Sequence, residues 1–190
     1  EGYGRHYLNG DTRLAEQSFA RVRAEIARAA RLDLAARAEL SRCAIRAAAL
    51  DFAPCAEYDR LAGHAPAEDQ AYARFLSGDW QGLEVRQLPP QYRDLLAVQD
   101  PAALGKALEG IPDPVSRAVA AGVLLRVERA TPETLAVATR NASDQGWRRP
   151  LLAWLEVQAR RAEVADDRTA LSLVRQRIEL VLSSAPGQGK

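Results

Sequence analysis

Cys43 and Cys55 are the only thiols in the chain, and His6 and His64 the only imidazoles. Two cysteines with 11 residues between them and two distant histidines fall short of a spaced four-ligand set, so no metal site is expected. A disulfide needs its Cα atoms within roughly 4.4–6.8 Å. If Cys43 lies seven residues before the end of a helix, the rise to that end is about 10 Å. The link 51–54 can run back by up to about 13 Å when extended. A Cys43–Cys55 bridge is therefore feasible. The other outcome is a pair of buried free thiols behaving as small hydrophobes.

His64 stands between Gly63 and Ala65, with Glu68 and Asp69 shortly after it. An acid–base pair there is conceivable, and a solvated loop histidine is the simpler expectation. Carboxylate pairs such as Glu68-Asp69 and Asp166-Asp167 fall at helix starts, where the macrodipole accounts for them without catalysis. No serine lies in a nucleophile-elbow pattern and no Gly-rich phosphate loop occurs, so no catalytic residue, cofactor or metal ligand is assigned. Arginines cluster at Arg21, Arg23, Arg28 and Arg31, and as the pairs Arg148-Arg149 and Arg160-Arg161, interleaved with Glu16, Glu25, Glu156 and Glu163. That pattern reads as a solvated face joined by weak ion pairs. The sharper option is a site for an anion or an acidic peptide, with Trp80, Trp147, Arg148 and Arg149 as contact residues, because Trp80 and Trp147 fall at helix boundaries. Trp154, between Leu151 and Leu155, reads as core.

The elements that must position these groups are helical. In 190 residues Ala occurs 37 times, Leu 24 and Arg 24, against two lysines. All three are strong helix formers, and β-branched and aromatic residues are scarce. A net charge of +1 argues against a general nucleic-acid partner, and no apolar run is long enough to span a membrane. Proline and glycine cut the chain into helix-length segments, among them Thr12–Arg31, Leu34–Leu50, Pro54–Ala62 and Pro66–Leu76. Asp100-Pro101, Asp113-Pro114 and Thr131-Pro132 each place a capping oxygen before a proline whose missing N–H is no loss there. They predict helices over about 101–109, 114–129 and 132–143. Two more follow, one carrying Leu151, Leu155, Ala159 and Ala162, the last capped by Asp167 with Ala170, Leu171, Val174, Ile178, Val181 and Leu182 as its inner stripe. Residues 1–184 read as one helical domain and 185–190 as a flexible tail.

An internal echo organises these helices. Tyr7-Leu8-Asn9-Gly10-Asp11 and Phe75-Leu76-Ser77-Gly78-Asp79 share the order aromatic, Leu, small polar, Gly, Asp, 68 positions apart. That is twice the 34-residue period of the tetratricopeptide repeat. Gly suits a left-handed C-cap, and Asp the start of a second helix. Gly4 and Tyr7, then Ala15, Phe19 and Val22, resemble the first and second helices of such a repeat. Leu50-Asp51-Phe52 lacks the Gly, and from Gln91 onward only helix pairing persists. The chain thus resembles a degenerate tetratricopeptide-like array. The resemblance implies a right-handed superhelix of about five antiparallel helix pairs, each packing on its neighbours, with a concave binding surface.

A second, narrower likeness lies in Arg42-Cys43-Ala44-Ile45-Arg46, Leu50-Asp51-Phe52-Ala53-Pro54-Cys55 and Ala71-Tyr72-Ala73. These resemble predicted lipoproteins of Gram-negative envelopes. The likeness implies a periplasmic location with a lipidated Cys ahead of Glu1, and a chain without any Met is expected to be a processed product. The expected function is a non-enzymatic binding module of the bacterial cell envelope, scaffold or adaptor to a protein or peptide. The alternatives are a helical accessory domain of a cell-wall enzyme, an enzyme with a site near His64, and a self-associating structural protein.

Overall fold

The computed structural model describes residues 2–184, which form eleven α-helices and three short 3-10 turns, with no strand among them. The expected tail over 185–190 lies outside the described residues. In chain order the helices are α1 (Gly2–Asn9), α2 (Thr12–Ala29), α3 (Leu32–Ala48), α4 (Ala56–Leu61), α5 (Ala67–Ser77) and α6 (Pro90–Ala97). They continue with α7 (Leu104–Glu109), α8 (Pro114–Arg126), α9 (Pro132–Asp144), α10 (Arg148–Val164) and α11 (Arg168–Ser183).

Helix starts follow the local chemistry. The side chains of Asp113, Thr131 and Asp167 accept from the backbone N–H of Ser116, Thr134 and Ala170, capping α8, α9 and α11. Asp100 caps Ala102 in the same way, but the chain first makes a 3-10 turn over Pro101–Ala103, so the single helix expected over 101–109 is divided. The helix expected from Pro54 begins only at Ala56, because Cys55 is held by a disulfide to Cys43.

Helix ends share one device. At Gly10, Leu50, Gly78, Glu128, Gly146 and Asp166 the backbone is left-handed, with φ between +51° and +96°. In each case the next residue's N–H reaches back five residues: Asp11 to His6 O (2.8 Å), Asp51 to Arg46 O (3.0 Å), Asp79 to Arg74 O (3.0 Å), Arg129 to Leu124 O (2.8 Å), Trp147 to Ala142 O (2.9 Å) and Asp167 to Ala162 O (2.9 Å). The Gly-Asp echo is thus a helix-ending signature at both places. Its second half differs. After Gly10 the chain enters α2, whereas Asp79 accepts from Arg74 Nε (2.9 Å) and the chain turns through Trp80 into a 3-10 turn over Val85–Gln87.

Pairing of sequence neighbours is seen in α1 with α2 and α10 with α11, while α3 packs on α8 and α1 on α10, joining remote parts of the chain. The α3–α8 crossing is very close: a Cβ on Gly122 would sit 2.1 Å from the Ala47 carbonyl oxygen, so only glycine fits. Around it α8 is buried from Ala118 to Leu124, as its apolar sequence predicts. The core continues through Leu8, Phe75, Tyr92, Leu104, Leu108 and Trp154, each almost fully buried. A separate small cluster of Leu155, Ala159 and Val174 joins α10 to α11. At the edges the apolar residues of the helices are only half used. In α2 Ala15 and Phe19 are buried while Leu14 and Val22 are exposed, and in α11 only Val174 is buried while Leu182 is exposed.

Candidate functional site

A groove of about 550 Å³ opens on the surface, with walls that come from α1, α2 and α3. Tyr3, Gly4 and Leu8 line it from α1, Phe19 and Val22 from α2, and Arg42 and Ile45 from α3. Val115 at the start of α8 and Trp147 just before α10 also line it. Gly4 lets α1 lie close on α3, since a Cβ there would stand 3.1 Å from Ile45 Cδ1. The lining is overwhelmingly apolar and the volume is that of an ordinary ligand or peptide cleft.

Arg5, Ser41 and Arg42 bring charge and polarity to this lining, and Arg42 is the most engaged of them. The Arg42 guanidinium stacks over Phe19 (4.9 Å from Cζ to ring centroid) and Tyr3 (5.8 Å). Its Nη2 donates to both Glu16 oxygens at 2.9 Å, and Nη1 stands 3.8 Å from Glu39 Oε2. Glu39 is 6% exposed, and burial lifts its carboxyl above the usual range against the pull of Arg23 and Arg42. Tyr3 packs beside Tyr7 and Phe19 (ring centroids 5.5 and 5.3 Å), and burial raises its phenol while neighbouring Arg42 pulls it down. The Tyr3 hydroxyl and Arg42 Nε are both buried.

Behind the groove a second network holds α1 in place. Asp51, just past the end of α3, accepts from Tyr7 Oη (2.9 Å), Arg46 Nε (2.9 Å), Arg46 Nη2 (3.0 Å) and the Ala53 N–H (3.1 Å). The Arg46 hydrogen bonds hold its carboxyl well below the usual carboxylate range. The Tyr7 phenol is pushed up to about 12, by burial first and then by Asp51. The loop carrying Asp51 is closed by the Cys43–Cys55 disulfide, with Cα atoms 6.0 Å apart. A bridge closing a loop of this length contributes about 3 kcal/mol by limiting the unfolded chain.

The residues marked in the sequence as contact candidates are placed apart. Trp147 lines the groove. Trp80 is half-buried elsewhere, stacked on Phe75 (5.9 Å) beneath Arg129, with its indole N–H on Phe75 O (3.1 Å). Arg149 turns to α1: its Nε donates to Tyr7 O (2.8 Å), its Nη2 to Thr12 Oγ1 (2.6 Å), and Cζ lies 4.2 Å from the Tyr7 ring centroid. Arg148 is half-buried, its Nε without a partner. His64 is exposed on the 3-10 turn after α4, while Asp69 is engaged by Arg37 Nε at 2.8 Å.

Tyr3, Phe19, Arg42 and Asp51 escape sequence reasoning as a site, because their partners come from elements up to 44 positions away. The one available signal was the aromatic spacing Tyr3, Tyr7, Phe19 in the first helix pair. Among the described residues no group of histidine, cysteine and carboxylate side chains could hold a metal, and no helix is long and apolar enough to cross a membrane. No protein-family model, no curated protein and no solved structure matches the chain.

Proposed function

We propose that this protein is a non-enzymatic binding module of the bacterial cell envelope, holding a protein or peptide in the groove between α1, α2 and α3. The observation that carries this reading is the groove itself, apolar and walled by Leu8, Phe19, Val22, Ile45 and Trp147. Its walls are fixed independently of any occupant, by the Asp51 network and by Arg149 on the end of α1. A preformed apolar cleft loses little conformational entropy on binding. The envelope location is supported by the disulfide, a bond that persists in oxidising compartments. In this reading the hairpins α1–α2 and α10–α11 are units of a tetratricopeptide-like superhelix, with the α1–α10 contact curling its two ends together.

The test is recovery of partners from envelope extracts by the wild type and by Val22→Asp, a substitution at an exposed groove position 46% accessible to solvent. A species retained by the wild type and lost by the variant, at equal helicity, is the expected result. Identical recovery by both proteins, or none by either, overturns the proposal.

A further inference from the structure

We infer that the occupant of the groove is an amphipathic helix that lays an apolar stripe into it and points one carboxylate side chain at Arg5; this rests on the groove being the binding site. The walls decide the occupant's backbone. α2 and α3 face the groove with Phe19, Val22, Ala38 and Ile45, residues inside each helix whose N–H and C=O groups are engaged along that helix, and no strand edge is offered. The side chains add little. Ser41 Oγ donates to Arg37 O at 2.8 Å, and Arg42 is taken up by Tyr3, Glu16 and Glu39. An extended peptide pressed against these walls would leave its inward N–H and C=O groups unmatched, at a cost for each. A helix bonds its own backbone and presents only side chains, and apolar residues at i, i+3, i+4 and i+7 form the stripe that such a groove receives.

Charge decides what flanks that stripe. The lining holds two arginines, Arg5 and Arg42, and no carboxylate. The charge of Arg42 is met from outside the lining by Glu16 at 2.9 Å and Glu39 at 3.8 Å, so little of it is left for an occupant. Arg5 differs. It is exposed, follows Gly4 and stands one turn before Leu8 on α1, and among the described residues no ion pair or side-chain hydrogen bond engages it. A Glu or Asp beside the occupant's apolar stripe therefore meets an open guanidinium fork, whose geometry suits a carboxylate, and no acidic wall. A Lys or Arg at that place meets a like charge.

A displayed library of random peptides about four helical turns long, selected on the wild type and counter-selected on Val22→Asp, lets the groove choose its occupant. The expected peptides repeat apolar residues at helical spacing, carry an Asp or Glu beside that stripe, and are helical when bound, as transferred nuclear Overhauser effects report. Replacing that carboxylate by its amide is expected to weaken binding to the wild type about two- to fivefold, the range for an exposed ion pair. The same replacement is expected to leave binding to Arg5→Gln unchanged, in a variant whose helicity equals that of the wild type because Arg5 is exposed. Selected peptides that bind in an extended form, that are indifferent to the carboxylate, or that remain equally sensitive to it in Arg5→Gln overturn the inference and leave the groove as the site. If no selected peptide is lost on Val22→Asp, both readings fall.

Discussion

Asp51 gathers four hydrogen bonds, and through them connects α1, the end of α3 and the disulfide-closed loop. Its folded pKa is depressed by Arg46, so its stabilisation is fully present above the ordinary carboxylate pKa near 4 and is lost as pH falls below that. Tyr7 behaves oppositely. With its phenol pushed up to about 12, its contribution is complete below about pH 10 and is lost as pH rises through the folded value. Asp51→Asn keeps the shape and loses the charge, and is expected to lower stability at pH 7 by about 1.5 kcal/mol, the low end for charged hydrogen bonds because the side chain is 38% exposed. Urea unfolding of both proteins at pH 7 and at pH 2.5 checks this. The gap narrows at the lower pH, and an equal gap at both shows that the charge is not its source. At this scale the sequence made the disulfide readable, since two lone cysteines near a helix end leave few options. The Asp51–Tyr7 and Arg42–Glu16 pairs were not readable, because each joins positions tens of residues apart.

Between helices, the repeated left-handed cap sets where each segment stops. Gly10, Gly78 and Gly146 adopt it freely, but Leu50, Glu128 and Asp166 take the same conformation with a side chain attached, at φ of +59°, +58° and +51°. For an L-residue that region costs roughly 1–2 kcal/mol, somewhat less for Asp. Glu128 is exposed, and no salt bridge involves it among the described residues. Glu128→Gly is therefore expected to raise unfolding free energy by about 1 kcal/mol, reduced from the full strain by the extra freedom of glycine in the unfolded chain. Denaturant titration measures it; a destabilised variant shows that Glu128 contributes packing that outweighs its strain. Leu50 is a poorer choice, because its half-buried side chain packs against the core. These ends explain what was legible among the elements. Starts marked by Asp-Pro or Thr-Pro are local chemistry and were readable to within a residue or two. A stop without glycine is imposed by the packing of the next segment of chain, so Leu50 read as a broken repeat although its backbone makes the same cap as Gly10 and Gly78.

Over the whole molecule the burial is uneven. The main core runs from α1 to α10 around the α3–α8 crossing, and contacts such as Arg149 on Tyr7 bring residues 142 positions apart into one unit. The all-helical class followed directly from composition and periodicity, but this long-range closure did not, since repeat spacing speaks only of neighbours. α11 is held chiefly by α10 through the small cluster of Leu155, Ala159 and Val174, with Leu173 and Leu180 59% and 70% exposed on its outer side. With one fully buried residue in sixteen, α11 gains far less from burial than α8, which is buried continuously from Ala118 to Leu124. Elements with few buried contacts open locally without unfolding the rest. Native-state hydrogen exchange is thus expected to show the amides of α11 exchanging through an opening insensitive to low denaturant. Those of α3 and α8 exchange only through global unfolding, with the full denaturant dependence. If α11 follows the same dependence as α8, the two clusters form one cooperative unit and α11 is tied to the main core more tightly than its burial indicates. The expected order also bears on the groove. Trp147 stands at the start of α10, and Arg149 fastens that end to α1 through contacts that do not involve α11, so the groove walls are held by residues outside α11.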